Sequence, residues 1–466
     1  MALASKLTKR FELAQSYKEE RHHLYRSLAS LVIPITIQNL IGSLVNSADI
    51  FMLGFISQDA LSAVSLANQY YFILIGVFFG ISSGVTILCS QYWGKKDYDA
   101  IQAVMGIALK LGIAFTALLA VTTMLFPVAM MKVYTDDPVL IEIGASYLRI
   151  VGFSYLLNSF SQVYLSVLKS MERAKISTVI SCTSLVLNIV GNAAFIFGLA
   201  GFPKLGVIGV AVSTLFARLI ESLLCLIHYM SGKMLKPKLA ILFKKNPLLF
   251  KDFLKYAIPA LINDCIWTLA FSTYSIILGH MTSDVVAASS VANTLRNLFT
   301  VLCFGLSSGG SVLLGKEIGA KQMDLAKRDA SRLCIITLII SIFTGILLLL
   351  CKNPLMSLYT LTDRAQDYLN TMMIISSYYI IGQAMNTLTI AGIFRAGGDS
   401  KFGMICDTVD MWLISVPLGF ISAYVLKLPP MAVYFILCLD EFWKIPAVYI
   451  HYKSYKWLRN ITREFS

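Results

Sequence analysis

Long apolar runs, separated by short polar connections, fill most of the chain. Each run has roughly the ~20 residues with which a helix crosses the hydrocarbon core of a bilayer, and the runs lack the period-two alternation of barrel strands. The pattern predicts twelve membrane-spanning helices, with a polar bridge between the sixth and the seventh. The predicted spans lie at 28–54, 61–90, 101–127, 138–165, 176–199, 206–230, 254–280, 287–315, 330–351, 367–394, 402–426 and 430–451.

The two sets of six helices repeat each other in sequence. Adding 225 to Pro34 gives Pro259, and the same offset holds without a gap as far as Lys96 and Lys321. The many matched Gly, Pro and Asn positions indicate an internal duplication. Because each repeat has six spans, both repeats enter the membrane in the same direction, and we expect a cavity between them. Matched pairs include Gly54 and Gly279, Asn68 and Asn293, Gly84 and Gly309, and Gly94 and Gly319.

The composition supports a membrane protein. Of the 466 residues, 57% are hydrophobic and 14% are charged, whereas a soluble domain is about 25% charged. We therefore predict an all-α integral membrane protein built as two six-helix lobes. The predicted parts are an N-terminal tail at 1–27, an N-lobe at 28–230, a linker at 231–253, a C-lobe at 254–451 and a C-terminal tail at 452–466.

Basic residues are concentrated in the even-numbered connections and in both tails, whereas acidic residues dominate the odd-numbered connections. By the positive-inside rule, both termini and the linker are predicted to be cytoplasmic, in a multi-pass protein of the cell membrane. These loops account for the net charge of +13, so the expected partner is the lipid bilayer and not nucleic acid. The basic connections contain Lys95, Lys96, Lys169, Arg173, Lys175, Lys233, Lys316, Lys321, Arg395 and Lys401.

Four polar residues inside predicted spans of the first half form a candidate ion site. Asp49 is in the first span, and a carboxylate in hydrocarbon is costly enough to indicate a function. Asn188 and Asn192 are four residues apart in the fifth span, so they share a helix face, and Thr214 is in the sixth. Such oxygen atoms suit a hard cation, while a desolvated carboxylate can instead carry a proton.

The second half has a different set of candidates. Asp264 and Trp267 are one turn apart after Pro259, and an acid beside an aromatic ring suits an organic cation. Asp407 and Asp410 lie together in the eleventh span as further ion or substrate candidates. In the twelfth span we expect an internal ion pair between Glu441 and Lys444, which are three residues apart.

The remaining polar and aromatic candidates have weaker support. Six residues are predicted to line the cavity: Gln38, Asn68, Tyr70, Asn293, Tyr379 and Gln383. The nine cysteines lie singly in or near apolar runs without metal-binding spacing, so we interpret them as packing residues. The sequence has no phosphate-binding loop, His-Glu-x-x-His or Gly-x-Ser-x-Gly motif, so neither an enzyme nor a cofactor is expected.

With these motifs the chain resembles, over nearly its whole length, the multidrug and toxic compound extrusion (MATE) family of cation-coupled antiporters. The resemblance implies two six-helix lobes around a V-shaped central cavity, a monomer, and export of cationic drugs in exchange for H⁺ or Na⁺. It also implies an ion site, with Na⁺ possible, at Asp49, Asn188 and Thr214. The motifs are Pro34 to Gly54, Gln91-Tyr92-Trp93-Gly94, Asn188 to Asn192, Gly209 to Thr214, and Arg395-Ala396-Gly397-Gly398-Asp399.

The chain departs from parts of the family pattern. Some members have an acid where this chain has Asn192, and some Na⁺-coupled members have a Glu where it has Trp267. The Asn-acid-x-x-Trp sequence around Asp264 looks like firmicute-type members. The alternative is a flippase for lipids or lipid-linked saccharides from the same superfamily, with Arg149, Arg218 and Arg296 as its candidate anion-binding residues. A membrane-embedded enzyme or receptor is a third class, which the duplication disfavours.

Overall fold

In the computed structural model, residues 2–232, 234–357, 359 and 361–464 are described. They form twelve long helical elements, α1 to α12, joined by short loops and short helices. These elements are α1 Ala2–Gly54, α2 Gln58–Lys95, α3 Tyr98–Leu125, α4 Pro138–Ser170, α5 Ala174–Phe197, α6 Gly206–Met230, α7 Pro247–Gly279, α8 Ser283–Gly319, α9 Met323–Met356, α10 Asp363–Asn386 with Thr387–Phe394, α11 Ser400–Val425, and α12 Pro430–Leu437 with Asp440–Trp443 and Ile445–Lys453.

Within the described residues, ten helices are long and apolar enough to cross a membrane. The other two of the predicted twelve are α10 and α12. Helix α10 carries more polar residues and ends in a π-helix over Thr387–Phe394. Helix α12 is divided into three segments, and Pro446 near the start of the last segment lacks the backbone N–H that would continue the helix.

Several helices begin earlier than the hydropathy pattern predicted, and α1 and α7 show the reasons. Helix α1 begins at Ala2 and thus includes residues 2–27 of the predicted tail, which are rich in helix-forming Lys, Arg, Glu and Leu. Helix α7 begins at Pro247, where the Asn246 side chain accepts a hydrogen bond from the Leu249 amide at 3.0 Å. Asparagine at the cap and proline in the first turn favour a helix start there. Lys233 of the predicted linker lies outside the described residues.

Each lobe is packed around its own apolar core, but equivalent segments of α1 and α7 pack against the opposite lobe. Leu28 and Val32 of α1 pack in a cluster with C-lobe residues such as Leu306. Phe253 and Ala257 of α7 belong to the core of the N-lobe. The two pairs are related by the offset of 225, so this packing follows the internal repeat.

The lobes approach each other most closely where α2 and α8 end. Gly94 and Gly319 occupy equivalent places in the two repeats. A Cβ atom on Gly94 would collide with the backbone of Lys316, and a Cβ atom on Gly319 would collide with the backbone of Gln91. The helices are therefore packed backbone to backbone, and the lobes are in close contact at this end.

Two reciprocal contacts, which we call the clasp, join the lobes at the same end. Lys316 Nζ of α8 lies 2.8 Å from Glu172 Oε2, in the loop between α4 and α5. Gln91 Nε2 of α2 donates to the carbonyl oxygen of Ala396, in the loop after α10, at 2.7 Å. Gln91 and Lys316 also differ by 225, so each contact is the counterpart of the other.

Residues 454–464 form a C-terminal strap that is docked beside the clasp. Trp457 is fully buried. The Ile461 amide donates to Gln91 Oε1 at 2.9 Å, and Arg463 Nε lies 2.6 Å from Asp252 Oδ2 on α7. The strap thereby contacts α2 and α7 as well as the C-lobe, a docking that the apolar pattern did not predict.

Candidate functional site

The N-lobe places Asp49 beside Asn192. Asn192 Nδ2 of α5 donates to Asp49 Oδ1 of α1 at 2.8 Å. The carboxylate is half-buried and makes no ion pair with a described residue. Asn192 itself is buried, and its Oδ1 atom has no hydrogen-bond partner. Asp49 and Asn192 thus form a hydrogen-bonded pair that offers a carboxylate and an unpartnered amide oxygen.

Asn188 lies one turn before Asn192 and is held by α6. Its Nδ2 atom donates to Thr214 Oγ1 at 3.2 Å, and its backbone carbonyl accepts from Ser213 Oγ at 3.0 Å. Thr214 Oγ1 in turn donates to the Val210 carbonyl at 2.9 Å. Because the two asparagines share one face of α5, hydrogen bonds among the four predicted residues connect α5 to both α1 and α6.

A buried ion pair beside this site was not predicted. Glu221 of α6 is buried, and Arg218 Nη1 donates to its Oε2 atom at 2.8 Å. Arg218 Nη2 donates to the Tyr71 hydroxyl at 2.7 Å. The field of Arg218 reaches Asp49, but its hydrogen bonds are directed to Glu221 and Tyr71. The i, i+3 spacing of Arg218 and Glu221 was the sequence signal that could have revealed the pair.

The predicted cavity-lining residues of the N-lobe have different environments. Gln38 Nε2 of α1 donates to Ser181 Oγ of α5 at 3.0 Å. Asn68 is half-buried and accepts from the Tyr147 hydroxyl at 3.2 Å. Tyr70 is buried in the N-lobe core, where its hydroxyl donates to the Met130 carbonyl at 2.9 Å.

In the C-lobe, Asp264 is paired with an arginine. Arg395 Nη2 lies 2.6 Å from Asp264 Oδ1 and 2.9 Å from Asn263 Oδ1. Arg395 follows α10, so the pair links two elements far apart in sequence. The Asp264 carboxylate, a predicted ion or substrate candidate, thus already has a cationic partner within the protein, and the sequence analysis did not predict that partner. Trp267, one turn later, is packed against Phe271 with ring centroids 4.3 Å apart.

Lys444 is the centre of a second buried network. It lies 3.1 Å from Glu441 Oε2, which confirms the predicted pair, and 3.1 Å from Asp407 Oδ1. Asp407 is buried and its Oδ2 atom also accepts from Asn263 Nδ2 at 2.6 Å. Asp407 is therefore enclosed within the C-lobe. Asn263 connects this network to Arg395.

Asp410 differs from its neighbours because it is buried without a hydrogen bond. Both of its carboxylate oxygens lack a partner within the described chain, and Lys444 Nζ is 4.0 Å from Oδ2. Asp410 lies in the π-helical segment Thr408–Ser415. Such wide turns are frequent at functional sites.

The two lobes differ at the position of Asp49. Its counterpart in the repeat is Tyr274 of α7, whose hydroxyl donates to Asp440 Oδ2 of α12 at 3.2 Å. The C-lobe thus supplies its nearby acid from another helix. Near Tyr274, a small cavity is lined by two of the predicted residues, Asn293 and Tyr379. Gln383, one turn after Tyr379, is buried and its Oε1 atom has no partner.

Comparison with known proteins agrees with this duplicated architecture. The MatE family model matches residues 34–194 and 259–421, and these segments begin at the equivalent prolines Pro34 and Pro259. This chain belongs to the MatE family. The family assignment confirms the resemblance, and it identifies α1 to α12 as the two-lobed MATE arrangement.

Individual MATE relatives match over nearly their full length. The uncharacterized transporter YisQ of Bacillus subtilis is 26% identical over 438 residues, which cover 93% of this chain and 95% of YisQ. The probable multidrug resistance protein NorM of Thermotoga maritima is 22% identical over 465 residues, 98% of each chain. A solved structure described as MATE in the bent conformation has a TM-score of 0.84 at 17% identity, covering 92% of this chain and 95% of that one. The twelve-helix fold is thereby confirmed.

Proposed function

We propose that this MatE-family efflux transporter exports cationic amphiphilic compounds in exchange for H⁺ or Na⁺, with Asp49 as the coupling carboxylate. The absence of an ion pair at Asp49, within the described residues, carries the proposal. Its direct partner, Asn192, is neutral, so a cation or proton is the natural charge partner for this acid. Thr214 and Asn188 extend the set of oxygen atoms to the next helix.

Coupling at Asp49 needs two conformations with different affinities for the ion. In the proposed mechanism the ion binds Asp49 from outside and stabilises the state that releases the drug. When the cytoplasmic side opens, the ion leaves and the drug binds. A ligand shifts such an equilibrium only by its differential affinity for the two states. We place both termini and the clasp on the cytoplasmic side, in a protein that works as a monomer in the cell membrane.

The C-lobe acids have a different proposed role. Asp264 is paired with Arg395, and Asp407 and Glu441 share Lys444 as their cationic partner. Asp407 and Glu441 are buried, and breaking a buried pair leaves an uncompensated charge. The Asp264 side chain is 35% exposed, but its pair with Arg395 joins α7 to the loop after α10. We therefore assign coupling to Asp49 and a structural role to Asp264.

The flippase alternative has less support from the arginines. A pyrophosphate lipid needs several basic groups free to bind it, whereas Arg218 is engaged by Glu221 and Tyr71. Arg296 alone lies in the C-lobe cavity. The proposed transport involves no catalytic step and no cofactor other than the coupling ion.

The proposal is tested by ethidium efflux from proteoliposomes under a Na⁺ gradient or a pH gradient imposed separately. We expect one gradient to drive efflux, Asp49→Asn to abolish it, and Asp264→Asn to keep its dependence on the gradient. Asp59→Asn is the matched control, because Asp59 is exposed at the start of α2. Normal efflux by Asp49→Asn would refute the assignment, and loss only in Asp264→Asn would move coupling to the C-lobe. If neither gradient moves ethidium, the flippase alternative takes precedence.

A further inference from the structure

The C-lobe contains a cavity of about 30 Å³ between α7, α8, α10 and α12. This volume holds about one water-sized group. Ser275 is exposed and Asn293 is half-buried, so the cavity has a polar entrance on that side. Its lining includes Phe271, Tyr274, Ser275, Asn293, Arg296 and Tyr379.

Arg296 is the charged group of this cavity, and its relative exposure to solvent is only 5%. The guanidinium lies between two rings, with its carbon 5.4 Å from the centroid of Phe271 and 4.8 Å from that of Tyr379. Arg296 donates no hydrogen bond to any residue that the structure describes, and its Nε atom is fully enclosed without a partner. The Tyr379 hydroxyl is likewise buried and unpartnered.

Asp440 is the carboxylate that acts electrostatically on Arg296, but it accepts no hydrogen bond from the Arg296 guanidinium. Asp440 Oδ2 accepts from the Tyr274 hydroxyl at 3.2 Å, and Oδ1 accepts from the Glu441 amide at 2.8 Å. No described carboxylate is within 4.0 Å of the Arg296 nitrogens. An arginine has five donors in a planar fork, and a buried donor left without an acceptor is costly. The cavity thus presents unused donors around a full positive charge.

In the equivalent region of the N-lobe, an arginine has hydrogen-bond acceptors within the protein. The offset of 225 relates Arg296 to Tyr71, and Tyr71 receives a hydrogen bond from Arg218. Arg218 is also paired with Glu221. The N-lobe arginine therefore has its acceptors within the protein, whereas the C-lobe arginine does not.

We propose that the Arg296 cavity binds a small anionic group, either a carboxylate carried by a transported compound or a free halide ion. The inference rests on the proposed function, whose substrate class it deepens. A guanidinium binds a carboxylate through two parallel hydrogen bonds, and stacking on rings leaves those donors in place. Asn293 and the Tyr379 hydroxyl supply neutral donors around it. A compound with both an amine and a carboxylate is then preferred over a pure cation.

The test compares rhodamine B, which has a free carboxylate, with its methyl ester, which is a pure cation. Binding is measured by fluorescence anisotropy with the full chain in nanodiscs, in a low-salt sodium HEPES buffer that contains no halide and no carboxylate. We expect wild type to bind rhodamine B at least about ten-fold more tightly than its ester. The substitution Arg296→Gln should weaken the binding of rhodamine B by about ten- to hundred-fold. The affinity for the ester should differ by less than about two-fold between Arg296→Gln and wild type. The exposed Arg364→Gln is the matched control.

A second arm adds sodium chloride to this buffer. If chloride raises the melting temperature of wild type but not of Arg296→Gln, and weakens binding of the acid, the site takes a halide. If chloride has no effect while the acid is still preferred, the site takes the substrate carboxylate. Arg296→Lys, which keeps the charge in the cavity, provides a folded comparison if Arg296→Gln is unstable, and should bind the acid more weakly than wild type.

Equal binding of acid and ester by wild type, with no effect of chloride, would overturn the anion site. The same holds if Arg296→Gln and Arg296→Lys bind the acid as tightly as wild type. Ethidium has no carboxylate, so its gradient-driven efflux separates the two proposals. If ethidium is transported but the acid is not preferred, only the anion site fails; if ethidium is not transported either, the proposed function fails as well.

Discussion

Gly94 and Gly319 occupy equivalent places in the two repeats, and each faces the backbone of the other's helix. The clasp lies at the same end, where Glu172 meets Lys316 and Gln91 meets Ala396. In an alternating-access transporter this contact has to form and separate once in each cycle. The structure therefore represents the state with this end closed.

A methyl group on either glycine should prevent this closure. We expect Gly94→Ala and Gly319→Ala each to lower gradient-driven ethidium efflux at least about ten-fold, which corresponds to about 1.4 kcal/mol against the closed state. Gly54→Ala is the control, because a Cβ there meets no atom within 4 Å. Wild-type efflux by both variants, at equal amounts of inserted protein, would show that the helices need not pack this closely.

Lys444 should stabilise the fold strongly, since it is the cation paired with both Asp407 and Glu441 inside the C-lobe. Lys444→Met leaves both acids without their cation, and loss of one partner from a buried pair typically costs about 3–5 kcal/mol. We expect a markedly lower melting temperature in detergent. Lys327→Met, which removes an exposed lysine charge, should have little effect. A melting curve for Lys444→Met that overlays wild type would contradict the network as described.

Loss of the strap's buried anchor should also destabilise the protein. Trp457 is fully buried and its Nε1 atom donates to the Tyr452 carbonyl at 3.0 Å. Truncating a buried tryptophan to alanine costs about 3–5 kcal/mol. We expect Trp457→Ala to lower the melting temperature and to expose the strap to trypsin, which is detected by mass spectrometry of the fragments. Arg459→Ala, at a side chain that is 60% exposed, serves as control. Protection of Arg463 from cleavage in Trp457→Ala would argue that the strap is held by other contacts.

Much of the fold could be predicted from apolar run length and from the repeat. The boundaries that failed include the starts of α1 and α7, where helix-forming polar residues and a cap decide the ends, and apolarity does not. Helix α12 begins at Pro430 as predicted, but it is interrupted within its length. The N-lobe site could be anticipated because Asn188 and Asn192 share one face of one helix. Helix spacing carries no information about contacts between distant elements, so the pairing of Asp264 with Arg395 was missed.

The central claim, that Asp49 couples the movement of an ion to that of the drug, is tested most directly by the reverse experiment. Proteoliposomes with no ion gradient receive an ethidium gradient, and ion movement is followed with a trapped pH dye or a Na⁺ dye. We predict that wild type moves H⁺ or Na⁺ against the ethidium flux, and that Asp49→Asn does not, whereas Asp59→Asn does. Ethidium flux through wild type without ion movement, or coupled ion movement in Asp49→Asn, would contradict the account.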